Sequence, residues 1–188
     1  VDISCEKIIT VDGPAGSGKE KISKYIARKY KLYHLDSGIL YRRLAYEIIK
    51  KNIKVSEINN IKNILKNIKT LSLRKTKVLR MEKIGKTASE IAKLDFVRYF
   101  INAQQKLATT RPNKKKGFVI DGRDIGSVVF KEAFLKLYVV VDVNIRAKRR
   151  YKQLIDNGEK SIYLKILKDI KLRDKTDKTR KNSPLVVP

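Results

Sequence analysis

Seven consecutive residues, Gly13-Pro14-Ala15-Gly16-Ser17-Gly18-Lys19, set three glycines and a lysine at the spacing of a phosphate-binding loop. In such a loop, backbone N–H groups and the N-terminus of the following helix converge on phosphate oxygens. Glycines at 13, 16 and 18 permit positive φ and a close approach of the backbone, and Lys19 can then reach the β- and γ-phosphates of a nucleotide. A glycine turn that merely joined a strand to a helix would need no Lys19. The two positions after the lysine depart from the usual pattern. Where a Ser or Thr normally offers a hydroxyl to Mg²⁺, the chain has Glu20 and Lys21, so a carboxylate stands near the phosphates and Ser17 or Ser23 is left to compensate.

Phosphoryl transfer asks little covalent help of a protein and much positioning and positive charge. Arginine forks suit the acceptor phosphate. Arg42, Arg123, Arg173, Arg180 and the group Arg146, Arg149 and Arg150 are the candidates. Arg123 stands out because it lies in a tight loop at a strand end, Asp121 to Gly126. His34, the sole histidine, has strand-like neighbours and reads as structural. Cys5 is the sole cysteine, which excludes a disulfide or a cysteine metal cluster within the chain.

The elements that must position these residues alternate. An apolar run at Ile8, Ile9 and Val11 predicts a buried strand. A helix follows the loop, with Ile22, Tyr25, Ile26 and Tyr30 at helical spacing. Leu32 to Leu35 predicts a strand, with Asp36-Ser37-Gly38 at its end, then a helix over about 39–50 with Leu40, Leu44 and Ile48 on one face. Ser56 reads as an N-cap before a stripe of Ile58, Ile61, Leu65 and Ile68. Residues 71–81 suit short strands or a loop. Helices are predicted over about 87–94 and, capped by Asp95, 96–109, and an exposed loop over 111–116. Phe118 to Ile120 and Lys136 to Val143 predict further strands. A basic helix starts near Asn144, Asn157-Gly158 reads as a turn, and Ser161 caps a last helix ending near Arg173. Such alternation predicts an α/β fold: a parallel sheet in three layers, with helices on both faces. The glycine loop, Asp36-Ser37 and Arg123-Asp124 each follow a strand and should line one crevice at the same sheet edge.

With 188 residues the chain is long enough for one domain with a small insert. Lys and Arg number 45 against 19 Asp and Glu, a net charge of +26. The lysines are spread throughout and accompany many Ile and Asn. Most of the charge therefore reads as compositional drift plus a phosphate-binding cleft, with a nucleic-acid surface as the lesser reading. There is no run of 18 apolar residues and no signal peptide, so the expectation is a cytoplasmic protein without a membrane partner. The chain begins without Met and stops at Pro188 after an apolar stretch, which reads as a fragment.

The chain resembles the bacterial cytidylate kinases of the nucleoside monophosphate kinase group. The likeness rests on DGPAGSGK at Asp12–Lys19, LDSGILYR at Leu35–Arg42, ASEIA at Ala88–Ala92 with Val97-Arg98, DGRDIGSVVF at Asp121–Phe130, RAKRRYKQL at Arg146–Leu154, and IKLRDKTDKTRKNSPLV at Ile170–Val186. The resemblance implies a single P-loop kinase domain over 1–188. Its core would span about 6–50 and 117–188, its monophosphate-binding insert about 51–116, and its lid about 146–162. ATP, with Mg²⁺, would donate to CMP or dCMP. Gly13, Pro14, Ala15, Gly16, Ser17, Gly18 and Lys19, with Glu20 and Lys21 at the helix start, would hold the ATP phosphates. Arg42, Arg123 and Arg180 would bind the acceptor phosphate. Ser89, Arg98 and Asp124 would read the cytosine edge, and Ser37, Arg173 and Asp177 would lie around the ribose, with Tyr41 lining the site. Arg149 and Arg150, with Arg146, would close over the phosphates, and catalysis would fall to Lys19, Arg123, Arg180, Arg149 and Arg150. The family is commonly monomeric. Relative to it, Lys69–Lys86 is short, implying a reduced insert, and the family's further C-terminal strand and helix are missing, which would leave Lys136–Val143 at an exposed sheet edge. The other readings are a related kinase acting on UMP, and a non-catalytic paralogue that binds nucleotide or, through its charge, nucleic acid.

Overall fold

The computed structural model describes residues 7–110, 117–156 and 158–188. Cys5, the loop expected over 111–116 and Asn157 lie outside these. Along the chain the elements are β1 (Ile8–Asp12), α1 (Lys19–Lys29), β2 (Tyr33–Asp36), α2 (Gly38–Lys50), α3 (Ile58–Asn67), α4 (Glu82–Ile91), α5 (Asp95–Thr110), β3 (Phe118–Gly122), β4 (Leu135–Tyr138), α6 (Val143–Asp156) and α7 (Tyr163–Thr179). A 3-10 turn at Lys77–Arg80 precedes α4, and a π-helical turn at Ile125–Val129 follows β3. The described chain forms two compact units, residues 35–110 and residues 7–34 with 117–188. No described helix is long and apolar enough to cross a membrane.

The discontinuous unit is built on a sheet of order β2-β3-β1-β4. β1 runs parallel to β3 with Ile8 opposite Phe118, and parallel to β4 with Ile9 opposite Leu135. β3 is buried throughout and β1 nearly so, which is why both read as continuous apolar runs. β4 is shorter than the apolar run predicts. It ends at Tyr138, and further on Asp142 accepts the N–H groups of Asn144 at 2.8 Å and Ile145 at 3.3 Å and so starts α6.

Two helices of this unit differ from expectation. The inward face of α1 is Lys19, Ser23 and Ala27, while Ile22 and Tyr25 are 38% and 57% exposed. Residues i, i+4 and i+8 share a face, so the lysine at the loop sets the phase and the apolar stripe is rotated outward. α7 starts after an extended Ile162 that makes no side-chain cap, so Ser161 is not the cap, and it runs on to Thr179. The extra turns place Arg173 and Asp177 at i, i+4. α6 and α7 pack through Ala147, Leu154, Ile166 and Ile170.

The other unit is helical. α2 presents Leu40, Leu44 and Ile48 as expected, and these join Ile61, Leu79, Ile84, Ile91, Val97 and Ile101 in one core. α3 begins after Glu57 rather than a Ser56 cap. Glu57 accepts the Lys54 N–H at 3.0 Å and the Asn60 amide at 2.7 Å. α4 begins at Glu82, ahead of the predicted Thr87, because Ile84 is part of the core. Residues 71–76 form no strand. Gln104 of α5 holds this stretch instead, accepting the Leu71 N–H at 2.9 Å and donating to the Lys69 carbonyl at 3.1 Å.

Candidate active site

β1 delivers the chain into the glycine loop, and the loop delivers it into α1. Gly18 is the N-cap residue of α1 at φ 87°, in the left-handed region that a side chain disfavours. Lys19 is 8% exposed, and its Nζ donates to the Pro14 carbonyl at 3.0 Å. Burial holds its ammonium pKa well below the ordinary lysine value. The Arg123 and Arg173 charges push the same way, against Asp121 and Asp177. The loop's own carbonyl thus holds the ammonium among two arginines and two aspartates.

The serine hydroxyls of this stretch are buried. Ser17 Oγ in the loop and Ser23 Oγ on the inward face of α1 have no partner among the described residues. Glu20 lies 2.7 Å from Lys24 one helical turn on, so its carboxylate is ion-paired along α1. Lys21 is exposed.

The loop after β3 meets the end of α7. Arg123 Nε donates to Asp177 at 3.1 Å, Arg180 lies 3.4 Å from Asp177, and Arg180 lies 3.8 Å from Asp124. Burial alone would raise the Asp177 carboxyl, but the Arg123, Arg173 and Arg180 charges outweigh it and hold the pKa below the ordinary aspartate value. Lys19, Arg123, Asp124, Arg173, Asp177 and Arg180 are thus brought into one electrostatic cluster. His34 Nε2 is 2.6 Å from Asp121 Oδ1, a brace between the ends of β2 and β3 that fits its structural reading.

The three α6 arginines part company. Arg146 is 4% exposed. It donates to Asp174 of α7 through both terminal nitrogens, to the Ala15 carbonyl at 3.1 Å and to the Val141 carbonyl at 3.0 Å. It is a fixed strut under the loop, not a solvent-facing lid residue. Arg149 is exposed, and its guanidinium lies 3.7 Å from where a Cβ on Gly18 would stand. Arg150 donates to Gln153 at 3.0 Å.

The helical unit holds the remaining candidates. Ser37 is buried just before α2. Arg42 donates to the Leu79 carbonyl at 2.7 Å and lies against Gly85, 3.2 Å from where a Cβ there would stand. Arg98, 4% exposed, donates to the Ala92 carbonyl at 3.1 Å and lies over the Tyr41 ring at 5.9 Å. Ser89 is half-buried on α4. Sequence reasoning gave no role to Asp12, which anchors the loop after β3, or to Asp174. Asp12 carried a signal, since a charged residue inside an apolar strand must be satisfied. Asp174 carried none, because its partner is 28 residues away.

A parallel sheet, a glycine loop with a buried lysine, and arginines converging beside it define a P-loop kinase fold. Comparison with known proteins is specific. The family model described as cytidylate kinase matches residues 9–188. Among proteins named cytidylate kinase, that of Rickettsia rickettsii is 40% identical over 186 residues, covering 98% of this chain and 82% of its own. That of Bartonella bacilliformis is 39% identical over 182 residues, covering 95% and 81%. That of Fusobacterium nucleatum is 35% identical over 189 residues, covering 95% and 84%. The chain belongs to the cytidylate kinase family.

Proposed function

We propose that this chain transfers the γ-phosphoryl group of ATP to CMP or dCMP, giving ADP and CDP or dCDP. The observation that carries the reading is the cluster of Lys19, Arg123, Arg173 and Arg180 around Asp177. Asp177 holds Arg123 and Arg180 directly, the Pro14 carbonyl holds Lys19, and Arg173 adds its charge beside them. Preorganised positive charge is what a phosphoryl transition state needs, because it costs no reorganisation at the moment of reaction. A phosphate nucleophile is already ionised and needs no general base.

In this reading the loop from Gly13 to Lys19 holds the ATP phosphates, with Glu20 and Lys21 at the helix start. Arg42, Arg123 and Arg180 take the acceptor phosphate. Ser89, Arg98 and Asp124 answer the cytosine edge, where a carboxylate and a hydroxyl accept from the exocyclic amine that uracil lacks. Ser37, Arg173 and Asp177 lie around the ribose, and Tyr41 lines the site. Arg149, lying against Gly18, and Arg150 belong to the lid of about 146–162, while Arg146 holds the loop beneath it. Closure keeps water from the phosphoryl group. Positions 20 and 21 offer no hydroxyl, so Ser17 Oγ, a buried loop oxygen without a partner among the described residues, is the group that would hold Mg²⁺ beside the ATP phosphates. When bound, the ion neutralises charge on the β- and γ-phosphates. The enzyme acts as a monomeric single-domain kinase in the cytoplasm, where its nucleotides are dissolved, without a membrane or nucleic-acid partner.

The test is ADP formation from ATP and Mg²⁺ with CMP, dCMP, UMP and AMP as acceptors. Turnover with CMP and dCMP that is lost in Lys19→Ala is expected. Equal use of UMP would overturn the acceptor assignment. Silence in the parent together with turnover in Glu20→Gly/Lys21→Thr would mean a kinase disabled at its loop.

A further inference from the structure

Asp12 is the last residue of β1 and is fully buried. Each of its carboxylate oxygens accepts one backbone N–H, from Ile125 at 2.9 Å and from Gly126 at 2.7 Å. Burying a carboxylate is costly unless it is hydrogen-bonded. These two bonds offset part of that cost, burial still holding the carboxyl above the ordinary aspartate range, and the two residues that supply them open the π-helical turn Ile125–Val129. Arg123 and Asp124 immediately precede that turn. The backbone that carries them is therefore clamped, at its next two amides, to the strand that feeds the glycine loop.

We propose that Asp12 is a positioning residue whose carboxylate sets Arg123 and Asp124 in register with the phosphate-binding loop, and so governs use of the acceptor nucleotide rather than binding of ATP. The proposal rests on the kinase reading above, in which Arg123 and Asp124 meet the acceptor. The role needs a carboxylate. Two N–H donors require two acceptor oxygens, whereas an Asn offers one and turns its own NH₂ on the other donor.

Asp12→Asn is the first variant. Its KM for CMP should rise at least tenfold while its KM for ATP stays within about threefold. Amide exchange at Ile125 and Gly126 should quicken. A parallel rise in both KM values, or unchanged exchange at those two amides, would overturn the proposal. A second pair of variants leaves the carboxylate in place. In Gly126→Ala the new Cβ would meet Thr10 Oγ1 at 2.6 Å, pushing the segment off Asp12, while the next neighbours, at 3.2 Å and beyond, are side-chain atoms of Pro188 and Lys136. The same CMP-selective loss is expected. Thr10 Oγ1 is buried without a partner among the described residues, so Thr10→Ala removes the obstacle cheaply. Thr10→Ala/Gly126→Ala should bring the KM for CMP back to within about threefold of the parent. A double variant no better than Gly126→Ala alone counts against the clamp. The exchange measurement needs no turnover. Unchanged protection in Asp12→Asn would sink the positioning role even in a protein that phosphorylates nothing, whereas a parent without CMP turnover would sink the kinase reading alone.

Discussion

At the scale of single residues, the site is governed by what one carboxylate and one ammonium endure. Asp177 neutralises part of three arginines, and its pKa lies below the ordinary aspartate value in the folded protein. A depressed carboxyl contributes stability that is present above its unfolded pKa of about 3.9 and is lost as pH falls through the folded value. Asp177→Ala should therefore cost about 3–5 kcal/mol at pH 7, the cost of stripping a partner from a buried ion pair. Urea denaturation should show the gap to the parent narrowing as pH drops below about 4. Lys19 has the opposite sign. Its lowered pKa means that the unfolded chain binds the extra proton between the folded value and about 10.4. Across that window the nucleotide-free parent should gain stability with rising pH relative to Lys19→Met, and a flat difference between the two would contradict the burial of the ammonium. On the proposed assignment, Arg123→Ala removes a charge-assisted contact to the acceptor. Charged hydrogen bonds are worth about 1.5–3 kcal/mol, so acceptor use should fall roughly ten- to a hundredfold, with ATP affinity nearly unchanged. Equal losses would refute its role.

At the scale of elements, the outcome divides by what sets each boundary. Where burial alone decides, the spacing of apolar residues predicted the structure. α2 with Leu40, Leu44 and Ile48 is an example, as is the apolar β3. Leu44 is fully buried, and Leu44→Ala should destabilise by about 2–5 kcal/mol in a denaturant titration. Where a functional or polar group decides, apolar spacing misled. Lys19 rotated α1 away from its Ile22 and Tyr25 stripe. Asp142 starts α6 within the stretch whose apolar run predicted strand, and α7 ran beyond its apolar residues to carry Asp177. Charge-bearing candidates were legible as a set because the motifs occur together. Their division of labour was not, since Arg146, Arg149 and Arg150 are alike in sequence. Only the structure separates Arg146, bound to Asp174 and Ala15, from Arg149 beside Gly18. Asp174→Ala leaves that buried guanidinium without its carboxylate. Thermal denaturation and ATP affinity should both worsen, whereas Arg150→Ala should leave Tm within a degree or two.

At the scale of the whole molecule, +26 charges repel one another. Raising ionic strength from about 0.05 to 0.5 M should raise Tm, because the screening length falls well below the spacing of most surface charges. ATP should stabilise the protein by about 2.7 kcal/mol at a hundred times its Kd, and Lys19→Ala should abolish the gain. The division into two units has a consequence for synthesis. β1 pairs with β3 across the whole intervening chain, with Ile8 facing Phe118. On a ribosome adding about 5–20 residues each second, the strand that bears the glycine loop emerges roughly 5–20 s before its neighbour exists. The helical unit, whose core is sequence-continuous, can mature during that wait. The nascent β1, apolar and without its sheet neighbour, must meanwhile be kept from other chains, so the earliest hazard in this protein's life falls on the strand that leads straight into the glycine loop.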